Sequence, residues 1–198
     1  TYISGIDLPG FAGSSELKQF SDGSSAYLEM NVKNKVLSNA KIRKAIAYAI
    51  DRKTLCEKVI ADGSSVALSF VPEGFTGKAG SFRDDYGRAY FKDADVEEAK
   101  KLYAEGLKEL KIKGPVTLKI ACDNRETTQK YMQYVQEQLN KNLGIQITLE
   151  PVTFQIRLQK MTSKDFDIVM ALWGADYMDP MTFMDLWLTG GGNNHTSW

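Results

Sequence analysis

Apolar residues recur along this chain in two rhythms, every second residue and every third or fourth, and the switches between them mark its elements. The first clear alternating run is Ala26-Tyr27-Leu28-Glu29-Met30-Asn31-Val32, which predicts a strand. Ahead of it the chain is mixed, strand-like at Tyr2-Ile3-Ser4 and broken by turn signals at Pro9-Gly10 and Asp22-Gly23. Ser38-Asn39 then offers a cap to a helix over 40–50. There Ile42, Ala45, Ile46, Ala49 and Ile50 fall at i, i+3, i+4, i+7 and i+8 and share one face. Asp51 is placed to cap a second helix that passes Val59 and Ile60 and stops at Gly63. Residues 74–93 mix glycine, aromatic and charged residues without a period. They read as a long surface loop, and loops of that length tend to carry function.

The second half is more regular. Asp95 caps a helix whose apolar face is Ala99, Leu102, Tyr103, Leu107 and Leu110, and Gly114-Pro115 ends it. Val116 to Ile120 predicts a strand, and residues 126–143 a helix stopped by Gly144 in the left-handed C-cap position. Ile145 to Leu149 is the next strand, ended by Pro151, and a short helix runs through Leu158 and Met161. The run from Asp167 to Trp173 is apolar almost throughout, the mark of a strand covered on both faces. Pro180 to Leu188 forms a last helix before Gly190-Gly191-Gly192. From Val116 onward strands and helices alternate, which implies βαβ units and a mostly parallel sheet flanked by helices. The expected fold is a single α/β lobe over residues 1–198.

Composition narrows the function. Lys plus Arg and Asp plus Glu number 25 each, so the net charge is zero and no basic stripe suggests nucleic acid. The densest cationic cluster, Lys108, Lys111 and Lys113, is diluted by Glu109 and reads as a solvated helix end. Cys56 and Cys122 are isolated, unlike the dense cysteines of a disulfide scaffold, and they leave the compartment open. No apolar run approaches the ~20 residues that cross a bilayer. Neither a signal peptide nor a lipidation cysteine stands near Thr1; both ends read as cuts, so this says little about location. His195 is the only histidine, a poor start for a metal site. There is no Gly-x-Ser-x-Gly elbow and no glycine-rich phosphate loop, and Asp176 and Asp179 are spaced for a turn rather than an acid/base pair. Catalytic residues, metals and cofactors are therefore not expected.

Three segments carry a resemblance. The first is Tyr27-Leu28-Glu29-Met30-Asn31 followed by Asn39 to Arg52, with Arg43-Lys44-Ala45-Ile46-Ala47-Tyr48-Ala49-Ile50-Asp51-Arg52. The second runs from Asp95 to Leu107, including Ala99-Lys100-Lys101-Leu102, and leads to Pro115-Val116-Thr117-Leu118. The third is Asp165-Phe166-Asp167-Ile168 with Trp173-Gly174-Ala175-Asp176-Tyr177-Met178-Asp179-Pro180. In this order and spacing they resemble the family 5 extracellular solute-binding proteins, the oligopeptide- and dipeptide-binding group. The resemblance implies a lobe of the type II periplasmic-binding-protein kind, lacking a large N-terminal lobe and a closing C-terminal end. It further implies a monomeric substrate-binding component of an ABC importer, capturing oligopeptides between two lobes and delivering them to permease subunits. Such a protein would sit lipid-anchored on the extracellular face of the membrane, or in the periplasm. Its membrane contact would come only through a lipid anchor or the permease. Alternatives are a family member that binds a nickel chelate, haem or an oligosaccharide, or a protein-interaction or chaperone-like surface domain using the 74–93 loop.

The candidate ligand residues are Asp176, Trp173, Tyr177, Gly174 and Phe154. Asp176 follows an apolar strand, and ligands of open α/β sheets bind beyond the carboxyl ends of strands. A carboxylate there, screened by Trp173 and Tyr177, would hold an ammonium, and the resemblance implies the ligand's α-amino group. The competing role for Asp176 is an Asx turn or helix cap near Pro180. Asp179 reads as the cap of the last helix. Trp173 and Tyr177 are core aromatics by default, whereas the resemblance makes the tryptophan a pocket wall. Phe154 stands where relatives place a tryptophan over the peptide, and would equally serve as a staple for its helix. Some relatives carry arginines near Met161 and at Met170 that neutralise ligand carboxylates; methionine at both positions here implies a different arrangement. The turn Ala121 to Arg125 could offer backbone donors, though a plain strand-to-helix turn explains it.

Overall fold

The computed structural model describes Ile3, residues 7–87 and residues 89–198; the strand-like opening at Tyr2 and Ser4 lies outside the described residues. Four strands form one sheet in the order β1-β4-β2-β3, with β1 Ser24–Met30, β2 Thr117–Asp123, β3 Gln146–Val152 and β4 Ile168–Gly174. β2 runs parallel to both β3 and β4, whereas β1 joins the edge antiparallel to β4, Ser24 opposite Gly174 and Met30 opposite Ile168. The mostly parallel α/β lobe is thus the one the alternation of strands and helices predicts.

Helix α1 (Ala40–Tyr48) begins where Asn39 Oδ1 accepts the N–H groups of Lys41 at 2.8 Å and Ile42 at 3.3 Å. Asp51 Oδ1 accepts from Thr54 N–H at 2.8 Å to start α2 (Arg52–Thr54), which widens into a π-helical turn over Leu55–Ile60. That helix ends at Ala61 in the left-handed conformation, two residues before the glycine expected to stop it. Asp95 caps α4 (Val96–Glu109), and Gly144, at φ 69°, ends α5 (Glu126–Leu143). Asn39, Asp51, Asp95 and Gly144 stand where the sequence placed them as caps, each helping to satisfy helix-end groups that would otherwise go unpaired.

One face of the sheet is closed by α1, α4 and α5. Ile42, Ala45 and Ile46 from α1, with Ala49 at its C-cap, pack in one cluster with Leu118, Ile120 and Cys122 from β2, Ile168 from β4 and Val135 and Leu139 from α5. Both cysteines are buried free thiols; desolvation, then the Asp123 charge, pushes Cys122 up to about 11, which leaves it inert. The opposite face is covered only toward the strands' carboxyl ends. There α6 (Phe154–Ser163) brings Met161 against Ala121, Val169 and Ala171. Lys119 and Thr148, lower on that face, stay exposed.

Two expectations change. Residues 74–93 are not a free loop: they contain α3 (Phe82–Tyr86), capped by Ser81, with Phe75 and Phe82 buried in an aromatic cluster around Phe183. A five-residue helix is too short to show a 3.6-residue period, so the pattern hid it. Strand β3 also runs through Pro151. The Val152 carbonyl accepts from Asn124 N–H at 2.9 Å, so residue 152 faces β2. Residue 151 faces outward, and an edge strand tolerates a proline there.

Glycine 106 lets α4 approach α1. A Cβ at that position would lie 2.5 Å from Ile42 Cγ1 and 3.1 Å from Asn39 Oδ1. Alanine is the better helix former by about 1 kcal/mol, but overpacking costs roughly 1–3 kcal/mol. We predict that Gly106→Ala lowers the urea midpoint of the intact protein without changing its slope. An unchanged or raised midpoint would show that α1 moves away freely.

Candidate functional site

The parallel strands deliver their carboxyl ends to one edge of the lobe, and β4 delivers the longest apolar run. After Gly174 the chain turns through residues 175–180 into α7 (Met181–Met184), which continues as a 3-10 turn over Asp185–Trp187. The two aspartates in this turn divide the work. Asp179 Oδ1 accepts from Met181 N–H at 2.8 Å, and its carbonyl accepts from Thr182 N–H at 3.1 Å, so Asp179 is the cap. Asp176 is held by its backbone alone, its N–H donating to Thr182 Oγ1 at 3.0 Å. Its side chain is exposed and makes no hydrogen bond or ion pair among the described residues.

Tyr177 beside it is exposed as well. Its phenol is raised, first by partial desolvation and then by the carboxylates of Asp185, Asp179 and Asp176, so the strand end lies in a negative field. Gly174 leaves open space above the strand, since an added Cβ would meet nothing closer than Ser24 at 4.0 Å. Trp173 turns away from this space into the aromatic cluster with Phe75, Phe82 and Phe183. Its indole N–H is buried and has no acceptor among the described residues. The screening of Asp176 by Trp173 and Tyr177 expected from the sequence is therefore not supplied: one ring packs inward and the other faces solvent.

Phe154 sits at the N-terminus of α6, two strands from Asp176 and so about 10 Å across the sheet at a spacing of ~4.8 Å. It is 56% exposed and lines a cleft of 380 Å³ together with Asp123, Asn124 and Arg125. Below the cleft lies the part of the site that sequence reasoning passed over. Arg157 is buried, and its Nε donates to Asp123 Oδ1 at 2.7 Å, with the side chains 6% and 5% exposed. Its Nη1 donates to the Met170 carbonyl at 3.2 Å and lies 3.4 Å from Met161 Sδ, and its guanidinium stands 5.2 Å from the Phe154 ring centroid. Arg125 Nη2 donates to the other Asp123 oxygen at 3.0 Å. Burial alone would push the Asp123 carboxyl up; hydrogen bonds from Arg157 and Arg125, with their charges, outweigh it and hold the carboxyl below its ordinary range.

A signal for this pair was present in the sequence. Arg157 stands four residues before Met161, on the same helical stripe, and a cation on an apolar stripe demands a carboxylate nearby. Residues 121–123 of the expected turn belong to β2, so only Asn124 and Arg125 link it to α5, and the segment offers the Asp123 carboxylate and the Arg125 guanidinium rather than a run of backbone donors. His195 takes a packing role: its Nδ1 lies 3.3 Å from the buried Glu29 carboxylate on β1. Among the described residues no group of three or more His, Cys, Asp or Glu side chains is placed to hold a metal ion.

Residues 5–195 match the bacterial extracellular solute-binding proteins, family 5, over that family's middle region. This chain belongs to that family. The family 5 chain is 32% identical to the oligopeptide-binding protein OppA of Bacillus subtilis over 176 residues, 87% of this chain and 31% of that protein. It is 36% identical to the dipeptide-binding protein of Lactococcus lactis over 166 residues, 81% of this chain and 29% of that protein. Among solved structures, Listeria monocytogenes OppA bound to peptide superposes with a TM-score of 0.92 at 35% identity, covering all of this chain and 40% of that one. The family 5 chain thus spans about a third of the length of the relatives it matches. Its fold is that of a type II periplasmic-binding-protein lobe.

Breaking a buried ion pair from one side costs about 3–5 kcal/mol, and we predict a loss of that order for Asp123→Asn near neutral pH. Because the folded-state pKa of Asp123 is depressed, its contribution is complete above the unfolded value near 3.8 and fades as pH falls through the folded value. Thermal melts should show the gap between parent and variant wide at pH 7 and narrowing below about pH 4. A gap independent of pH would contradict the ionised pair.

Proposed function

We propose that this chain is one ligand-binding lobe of a two-lobed peptide receptor, the substrate-binding component of an ABC importer. The observation that carries the reading is the division of labour at the end of β4: Asp179 takes the capping role and leaves the Asp176 carboxylate uncommitted. A carboxylate at the carboxyl end of an open sheet, in a field already negative, suits a peptide's α-ammonium, and charge-assisted hydrogen bonds are roughly twice as strong as neutral ones. The names of the relatives, oligopeptide- and dipeptide-binding proteins, support the same ligand class.

In this reading the rest of the protein supplies the second lobe and the segments that close the domain. Ligand bound between the lobes stabilises the closed form, and permease subunits recognise that form. The peptide backbone is held by strand-like hydrogen bonds near Gly174, with Tyr177 and Phe154 as walls, while Trp173 supports the strand end from the aromatic cluster behind it. Backbone recognition of this kind leaves side-chain preference broad. The receptor is a monomer that captures and releases without chemical turnover. It works outside the cell membrane, tethered by a lipid anchor or free in a periplasm.

Native mass spectrometry of the intact protein purified from bacteria, beside Asp176→Asn, tests this. The parent should carry heterogeneous short peptides and the variant should be depleted of them, because a hydrogen bond to a charged group contributes about 1.5–3 kcal/mol, roughly ten- to a hundredfold in affinity. Equal loading of both proteins would remove Asp176 as the anchor. A single sugar, metal chelate or haem in place of peptides would move the protein to another branch of the family.

A further inference from the structure

The cleft above β2 holds an uneven count of charges. Asp123 contributes one negative charge, and two guanidinium groups share it, Arg157 on one oxygen and Arg125 on the other. Arg157 is sealed in: its hydrogen bonds go to Asp123, the Met170 carbonyl and Met161 Sδ, and Phe154 covers it. Because that buried pair neutralises itself, Arg125 is the surplus charge. Its side chain is 70% exposed, it lines the cleft, and among the described residues its only side-chain hydrogen bond is to Asp123, so most of its five N–H donors face outward unused. Asn124 adds an exposed side-chain amide to the same wall, and Phe154 supplies an apolar one. Glu126 starts α5 next to Arg125, but it makes no ion pair with it and does not line the cleft.

We infer that the 380 Å³ cleft of Asp123, Asn124, Arg125 and Phe154 is a subsite for a carboxylate of the ligand, and that Arg125 sets this preference. The inference rests on the peptide-capture reading and deepens it. Asp176 at the end of β4 and Arg125 just beyond the end of the neighbouring β2 then form a negative and a positive anchor on one edge of the sheet. A zwitterionic or acidic peptide lying across the strand ends meets a complementary charge at each. The guanidinium accepts a planar carboxylate in a two-pronged geometry that lysine does not reproduce. The carboxylate comes either from an acidic side chain or from the peptide's C-terminus.

Calorimetric titration of the intact protein distinguishes these sources. The probes are pentaalanine peptides with one Glu or one Gln at each of positions two to five, each prepared as the free acid and as the C-terminal amide. With the parent, Glu should bind roughly tenfold more tightly than Gln at one position, or the free acid roughly tenfold more tightly than the amide. The first result assigns the subsite to a side chain, the second to the C-terminus. Arg125→Gln should bring the Glu-to-Gln or acid-to-amide affinity ratio close to one, and Arg125→Lys should keep part of that ratio. A parent without either preference, or an Arg125→Gln protein that retains it, overturns the subsite. Absence of binding by every probe is a different failure: it overturns peptide capture itself, and the subsite with it.

Discussion

A guanidinium taken out of water has to be met by a carboxylate, and Arg157 is the charge on which the carboxyl-terminal edge of the sheet is organised. Its bonds reach Asp123 at the end of β2 and the Met170 carbonyl in β4, so three elements cannot shift independently at the strand ends. Geometry of this kind is what makes a buried ion pair tolerable, since the cost of desolvation is recovered only when most donors are satisfied. The pair does more than close a gap: it fixes where Phe154 lies, because the ring covers the guanidinium, and it leaves Arg125 with a partner already shared.

The rest of the lobe serves to place this edge. One face of the sheet is sealed by α1, α4 and α5, while the other is covered only near the carboxyl ends. The aromatic cluster of Phe75, Phe82 and Phe183 draws Trp173 inward and ties residues 74–87 to the turn after β4. That packing leaves the backbone at Gly174 open and puts the Asp176 carboxylate at the surface. An ordered edge with an uncommitted anion, a cation that shares its one carboxylate partner and an open backbone at Gly174 suits, in the proposed reading, a ligand with charged groups. In the proposed reading it is half of a site; the chain spans about a third of the length of its relatives.

Most of the architecture was legible because it depends on local rules. Caps at Asn39, Asp51 and Asp95, the glycine stop at Gly144 and the alternation of strands with long helices each follow from nearby residues. What escaped depends on partners distant in sequence. Strand β2 continues three residues past Ile120 because Asp123 is neutralised by a side chain 34 positions away. The segment after Gly74 is anchored by phenylalanines whose neighbour is Phe183, and no periodicity reports that. In the turn after β4 the sequence read Asp179 as a cap, and the structure divides the two aspartates there between capping and exposure. The orientation of Trp173 was not readable, since an aromatic ending a buried strand packs inward or lines a pocket according to what lies across from it.

The proposed anchor for a peptide's free ammonium is the Asp176 carboxylate. The direct measurement is the affinity of the intact protein for one peptide prepared with a free N-terminus and with an acetylated one. Acetylation should weaken binding of the parent by at least roughly tenfold, and Asp176→Asn should remove most of that difference. Equal affinity for the two peptides in the parent would contradict it and assign Asp176 to some other contact.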